Sequence, residues 1–149
     1  MKKEKIKLTA KEYLDKLQYI YINIDQDISR LHALRMNATG AKGIDYTKDR
    51  VMTSPSDRLC SDVCDIMTLD KKITDKIDRF VDAREQIIDQ IRGLHNAAFN
   101  QILFKVYVEY KSLKQTSSEM HRSYAFVRDK HKEALQAFEE TYSDLYWLS

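Results

Sequence analysis

Cysteine and histidine side chains are the groups of this sequence that could ligate a metal or act as nucleophile and base. Cys60 and Cys64 are spaced one helical turn apart. The histidines at positions 32, 95, 121 and 131 are scattered, so they complete neither a metal-ligand set nor a catalytic pair with the thiols. We therefore expect two free thiols, no metal and no other cofactor.

The acidic side chains between residues 62 and 89 are the other candidates for chemistry, as a two-carboxylate site. They alternate with lysine and arginine, which is typical of a solvated, charged helix face. The sequence also lacks a Gly-rich phosphate-binding loop. We therefore expect that the protein is not an enzyme. The residues in question are Asp62, Asp65, Asp70, Asp75, Asp78, Asp82 and Asp89.

Positive charge is concentrated between Tyr110 and Lys132, where six basic residues stand against two acidic ones. The net charge of this stretch is +4, whereas it is −2 for residues 55–95 and only +2 for the whole chain. Such clustering is the electrostatic footprint of a nucleic-acid-binding surface. A basic, solvated helix face explains the charge equally well, so charge alone leaves both readings open.

The elements that carry these residues are predicted to be helices. The chain has only 3 Gly and 1 Pro, which leaves room for few turns. Thr9 and Glu12 form a capping-box pattern that predicts a first helix from Ala10 to about Asn37. A polar loop at about residues 38–54 follows, and Ser54-Pro55 is typical of the start of a second helix.

The second helix has apolar residues at alternating steps of four and three, the heptad pattern of a coiled coil. Asp70 and Arg84 interrupt this seam, and they either set its register or lie at its edge facing water. We expect the two long helices to form an antiparallel hairpin, residues 1–95, that pairs in a homodimer or packs against the C-terminal helices. The seam residues are Leu59, Val63, Ile66, Ile73, Ile77, Phe80, Ile87 and Ile91.

Three shorter helices are predicted in residues 96–149, at about Ala97–Glu109, Leu113–His121 and Ser123–Tyr142, the last with Ser123 as its N-cap. The last two, joined by a turn at His121-Arg122, have the outline of a helix-turn-helix. His131 falls on the inward face of the final helix, where we expect a core histidine. An aromatic tail ends the chain.

The pattern from Ile102 to Leu135 resembles the region-4 helix-turn-helix of bacterial sigma-70 factors. Its apolar and polar positions are most similar to the ArpU/RinA-like late-transcription regulators of phages and prophages of Gram-positive bacteria, and to their relatives. The resemblance covers about Thr9 to Glu140 and is most specific from Ser123 to Leu135. This sequence departs from that family at Thr116-Ser117, where an Ile-Ala pair is usual, and in the acidic Asp129 of the last helix.

The resemblance implies a DNA-binding transcription regulator whose last helix enters the major groove of double-stranded DNA. Arg128 is then expected to contact guanine, with Tyr124 and Ala125 on the same outward face. Phosphate contacts are expected from the remaining cations and polar side chains of the motif. The full set of expected DNA-binding residues is Lys114, Gln115, Arg122, Ser123, Tyr124, Ala125, Arg128 and Lys132. Host RNA polymerase is a further expected partner.

A protein-interaction module without DNA binding, for example an inhibitor of a host enzyme, is the alternative. The acidic second helix and the aromatic residues Tyr142, Tyr146 and Trp147 favour this alternative, because terminal aromatic clusters can anchor interfaces. For the aromatic residues we expect first that they pack back on the protein's own helices. In either case the sequence has no apolar run of about 18 residues and no signal-peptide pattern. We therefore expect a cytoplasmic protein of the bacterial host cell with no membrane partner.

Overall fold

The computed structural model describes residues 8–38 and 55–143, with side chains from residue 60 onward in the second range. Within these ranges the chain is helical and contains no strand, which confirms the predicted all-α class. Most of the predicted loop, the seam side chain of Leu59, and Tyr146 and Trp147 of the aromatic tail lie outside the described residues.

Within residues 8–38 and 55–143, five α-helices occupy the predicted segments, and two of their starts show the predicted caps. Thr9 N donates to Glu12 Oε2 at 2.9 Å and Glu12 N donates to Thr9 Oγ1 at 3.3 Å, which confirms the capping box. Ser123 is the N-cap of the last helix. The helices are α1 Ala10–Ala38, α2 Pro55–Arg92, α3 Ala97–Leu103, α4 Leu113–Met120 and α5 Tyr124–Thr141.

The helix predicted from Ala97 to Glu109 is not a single α-helix. It changes after Leu103 into a π-helical turn, Phe104–Val108, in which Glu109 N donates to the Phe104 carbonyl at 3.0 Å. The wider turn adds a residue to the helix circumference. Tyr107 and Val108, two consecutive side chains of this turn, are both buried. A pattern of α-helical spacing does not reveal such a turn.

The first compact unit comprises the described residues of 1–20 and 80–149. Its core gathers apolar side chains from the start of α1, the end of α2, the π-helical turn and α5. The buried hydroxyl of Tyr13 donates to Gln90 Oε1 at 2.9 Å, so this hydroxyl has a hydrogen-bond partner inside the unit. Fully buried members include Leu14, Leu17, Ile91, Leu103 and Phe138.

The second compact unit comprises the described residues of 21–79. Leu31, Leu69 and Ile73 form its buried cluster, with two half-buried leucine and isoleucine side chains against it. Lys76 pairs with Asp27, and Arg35 lies 3.8 Å from Asp70. Both of these ion pairs link α1 to α2 within this unit.

Some residues of the predicted seam of α2 are buried and others are exposed. Ile73, Ile87 and Ile91 are buried, and Ile66 and Phe80 are half-buried. Val63 and Ile77 remain 44% and 39% exposed, whereas Leu69, Ile88 and Gln90, which lie outside the predicted seam, are buried. The buried row on α2 therefore coincides with the predicted seam at only some of its positions.

The two sequence domains, 1–95 and 96–149, stay a prediction. Packing groups the described residues into two units, and the first of these contains residues from both sides of the predicted division. The reason is that Ile87, Ile88 and Ile91 of α2 share one buried cluster with Ala134 and Phe138 of α5.

Candidate nucleic-acid interface

A tight turn joins α4 to α5, and its backbone explains why both helices end and begin where they do. His121 adopts the left-handed conformation, with φ of 54°, as the C-cap of α4. Its N–H and that of Arg122 bond to carbonyls of the last turn of α4. Ser123 then caps α5 by accepting from Phe126 N at 3.2 Å. Only Arg122 separates the two cap residues.

All eight residues predicted to contact DNA are exposed. On α5, Tyr124, Arg128 and Lys132 follow one another at steps of four, so they form one row along the helix. A separate face, about 100° around the helix from this row, is buried, with Val127, Ala134 and Phe138 each 0% exposed. The helix thus has a packed inner face and an open outer face that carries the predicted base and phosphate contacts.

Two of these eight residues also cap helices, and the sequence reasoning assigned only one of these roles, that of Ser123. Gln115 Oε1 accepts from Ser112 N at 3.0 Å, while Gln115 N donates to Ser112 Oγ at 3.1 Å, a complete capping box on α4. Ser123 acts as the N-cap of α5. The pattern Ser112-x-x-Gln115 carried a signal for the first of these caps. Both side chains already serve their helix termini without any nucleic acid.

The six basic side chains between Tyr110 and Lys132 differ in whether a carboxylate already pairs with them. Arg128 Nε lies 3.2 Å from Asp129 Oδ1, and Lys130 Nζ lies 2.9 Å from Glu133 Oε2. Lys111 is held by two glutamates. Within the described ranges, Lys114, Arg122 and Lys132 have no ion pair, so their charge is available to an anionic partner. The local excess of positive charge therefore rests on these three side chains.

A network of four charged residues connects α4 to the π-helical turn. Glu119 accepts from Lys111 at 2.7 and 2.9 Å and from Lys105 at 3.1 Å, and Lys111 also lies 2.9 Å from Glu109. The hydrogen bonds from Lys111 and Lys105 lower the pKa of Glu119, and those to Glu119 and Glu109 raise the pKa of Lys111. This network links α4 to the segment that precedes it, and it removes Lys111 from the free positive charge.

Thr116 and Ser117, the departures from the family pattern, are both buried on α4. Thr116 Oγ1 donates to the Ser112 carbonyl at 2.9 Å, and Ser117 Oγ donates to the Lys114 carbonyl at 2.7 Å. Both hydroxyls therefore have hydrogen-bond partners within their own helix or its cap, which removes most of the cost of burying them. The departures are compatible with a packed α4.

Phe126 is a residue of this surface that sequence reasoning missed. Its half-buried ring lies 5.1 Å from the Arg122 guanidinium carbon and 6.0 Å from Lys130 Nζ, measured to the ring centroid. Both distances fall in the range of cation–π contacts. The available signal was the spacing, because Arg122, Phe126 and Lys130 follow at steps of four.

The second unit contains a polar cleft of about 310 Å³ between α1 and α2. Asp27 and Asp65 line it, together with basic side chains that include Arg30 and Lys76. The Asp27 carboxylate is already paired with Lys76 and lies 3.7 Å from Arg30. The cleft is therefore lined by both acidic and basic side chains, and the Asp27 carboxylate is already paired with a cation. We assign this cleft no chemistry.

The described residues contain no cluster of three or more side chains of the metal-ligating types. Cys60 and Cys64 are both exposed free thiols. Among the helices described, none has the length and apolar character needed to cross a membrane.

No protein-family model, no curated protein and no solved structure matches this chain. The resemblance to sigma region 4 therefore stays an expectation from the sequence pattern. The function of the chain is to be inferred from its own residues, contacts and charges.

Proposed function

We propose that this chain is a phage-encoded, sequence-specific DNA-binding transcription regulator, with α4, the turn and α5 as its helix-turn-helix. The observation that carries the proposal is the two-faced character of α5. Its inner face is fully buried at Val127 and Ala134, while every residue expected at the DNA is exposed. A recognition helix needs this division, because it must be held by its domain and still enter the major groove.

The charge distribution supports the same function. Lys114, Arg122 and Lys132 lie on α4, the turn and α5, and none has an acidic partner in the described part of the chain. Phosphate contacts of this kind supply affinity and fix register, while base-edge contacts supply specificity. Arg128, whose hydrogen bond to Asp129 uses Nε, is the residue to which we assign guanine.

The long helices are proposed to form an antiparallel hairpin that mediates homodimerisation, and host RNA polymerase is proposed as a further partner. Dimeric helix-turn-helix proteins read two half-sites about one helical turn of DNA apart. A regulator of this kind acts in the cytoplasm of the bacterial host cell.

The first experiment is a fluorescence-anisotropy titration of random-sequence double-stranded DNA at several salt concentrations. We compare the wild type with Arg128→Ala/Lys132→Ala and with Lys71→Ala/Lys72→Ala, which removes the same charge from exposed positions of α2. Wild-type affinity should fall with salt, and the α5 variant should bind more weakly with a shallower salt slope.

Two outcomes contradict DNA binding at this site. One is the absence of wild-type binding at low salt. The other is an equal loss of affinity in the α2 control, since that result assigns binding to net charge rather than to α5.

A protein-interaction module is the second candidate, and exposed apolar side chains of the second unit favour it. Ile28, Val63, Met67 and Ile77 are 46%, 44%, 66% and 39% exposed. Such side chains suit a protein partner better than a phosphate backbone. Failure of DNA binding together with capture of a partner that Val63→Gln/Ile77→Gln abolishes would favour this candidate, of which an inhibitor of a host enzyme is one form.

A further inference from the structure

Arg122 occupies a particular place in the proposed DNA-binding surface, as the one residue between the C-cap of α4 and the N-cap of α5. Its guanidinium carbon lies 5.1 Å from the centroid of the Phe126 ring, one turn further along the chain. Lys130, four residues after Phe126, has its Nζ 6.0 Å from the centroid of the same ring. In sequence the ring therefore lies between two cations, Arg122 in the turn and Lys130 on α5.

The contact with Phe126 differs in kind from the contacts of the neighbouring cations. Arg128 and Lys130 are held by carboxylates, which neutralise charge and occupy N–H donors. An aromatic ring attracts the guanidinium through its face, and it leaves the five N–H donors free. Arg122 therefore contacts the ring while its N–H donors stay open to a ligand.

The contact with the ring matters for binding because a long side chain loses rotamer freedom when it contacts a ligand. The loss weakens binding unless the side chain is already held near its bound position. A planar guanidinium with free donors is well suited to a phosphate, whose oxygens it can contact in a bidentate manner.

We propose that Phe126 is a positioning residue that holds the Arg122 guanidinium ready to bind a phosphate of the DNA backbone. The inference rests on the proposed function, since it assigns a ligand to one cation of that surface. Phe126 acts through Arg122, and its neighbour Val127, which is 0% exposed, provides the packing of this turn of α5.

A purely structural role for Phe126 is the competing explanation, and a double-mutant cycle separates the two. Phe126→Leu keeps an apolar side chain but removes the ring, and Phe126→Tyr keeps the ring. These variants, Arg122→Ala and the double variant Arg122→Ala/Phe126→Leu are titrated with the same random-sequence duplex over a series of salt concentrations. A phosphate contact is read equally well on any DNA sequence.

We expect Arg122→Ala to lower the slope of log affinity against log salt by about one. Phe126→Leu should weaken binding by about threefold, as expected for loss of one exposed cation–π contact. Phe126→Tyr should bind like the wild type. In the Arg122→Ala background, Phe126→Leu should cause no further loss. An equal loss in both backgrounds, or no loss in either, would overturn the inference.

An NMR measurement without DNA distinguishes failure of this inference from failure of the proposed function. In the wild type, ring-current shielding by Phe126 should move the side-chain proton resonances of Arg122 upfield in NMR spectra, and Phe126→Leu should abolish the shift. If the shift is present but the protein binds no duplex, the proposed function is wrong and the contact has another purpose. If Arg128→Ala/Lys132→Ala weakens binding but Arg122→Ala does not, DNA binding stands and the role of Phe126 is wrong.

Discussion

The hydroxyl of Tyr107 lies 2.8 Å from Nε2 of His131, and the two rings stack with centroids 5.7 Å apart. Tyr107 belongs to the π-helical turn and His131 to α5, so the pair joins the segment before α4 to the helix after it. Burial raises the pKa of Tyr107, so its O–H stays protonated and can donate to a neutral imidazole. Burial also lowers the pKa of His131; Lys11 lowers it further, while Asp15 opposes the shift.

From this pair we predict that protonation of His131 at acidic pH lowers the free energy of unfolding. Because its pKa is lower in the folded state than the ordinary 6.5, the unfolded chain takes up the proton first as the pH falls. The free energy of unfolding is therefore unaffected by this group well above pH 6.5 and decreases below it, until the folded pKa is passed. Urea unfolding between about pH 7.5 and 5.5 should show this decrease in the wild type.

The matched variants for this prediction are His131→Gln and His32→Gln, the latter at an exposed position. His131→Gln should flatten the pH dependence, and His32→Gln should leave it as in the wild type. Parallel pH profiles for the wild type and His131→Gln would show that another group is responsible.

Gly93 is predicted to be required for the anchoring of Tyr142. A Cβ at position 93 would collide with the Tyr142 hydroxyl, which donates to the Gln90 carbonyl at 2.7 Å. Gly93→Ala should therefore displace the phenol and lower the free energy of unfolding by about 1 kcal/mol. The cost should be smaller in a Tyr142→Phe background, where the colliding atom is absent. Equal costs in both backgrounds, measured by urea unfolding, would contradict the assigned contact.

Thr116 should tolerate an apolar replacement. Its backbone N–H donates to the Ser112 carbonyl at 2.9 Å, so loss of the hydroxyl leaves that carbonyl with a partner. Thr116→Val keeps the volume at a fully buried position and should raise the free energy of unfolding by up to about 1 kcal/mol. Thr116→Ala, which opens a void, should lower it by about 1 kcal/mol. A marked loss of stability in Thr116→Val would show that the hydroxyl itself is needed.

Val63 and Ile77 should belong to the proposed homodimer contact, because they continue the predicted seam but remain exposed. Val63→Gln/Ile77→Gln should raise the dimer dissociation constant at least about tenfold, since two partly exposed apolar side chains lose their burial on association. Sedimentation equilibrium measures this constant, and Thr68→Gln, an exposed polar position of α2, is the control. A monomeric wild type at all concentrations would refute the homodimer.

Asp129 should sharpen the specificity of Arg128 while opposing affinity. Its carboxylate accepts from Arg128 Nε, which leaves the terminal guanidinium nitrogens for a guanine edge. Asp129→Asn should therefore strengthen binding to random DNA and reduce the affinity ratio of selected to random duplexes by about fivefold. Glu133→Gln removes the same charge from α5 and should leave that ratio unchanged. If both variants lower the ratio equally, charge alone accounts for the effect.

The sequence by itself determined the features that depend on near neighbours along the chain. The all-α class, the start of α1 at a Thr9–Glu12 capping box and the Ser123 cap of α5 follow from residues within one helical turn of each other. The inward face of α5 was also predictable, because a row of apolar residues at helical spacing has to be buried. Val127 and Ala134 are indeed fully buried.

Only the tertiary structure decided the features that depend on contacts with segments distant in sequence. The apolar residues of α2 are compatible with two neighbouring rows, and the packing of other helices selects Leu69, Ile88 and Gln90 for burial while Val63 and Ile77 stay exposed. The pKa of His131 is likewise lowered by its burial and by Lys11, while Asp15 opposes the shift, and both of these charged residues belong to the distant helix α1. Pattern and propensity report on one helix at a time, whereas burial, ion pairing and pKa shifts are properties of the assembled surfaces.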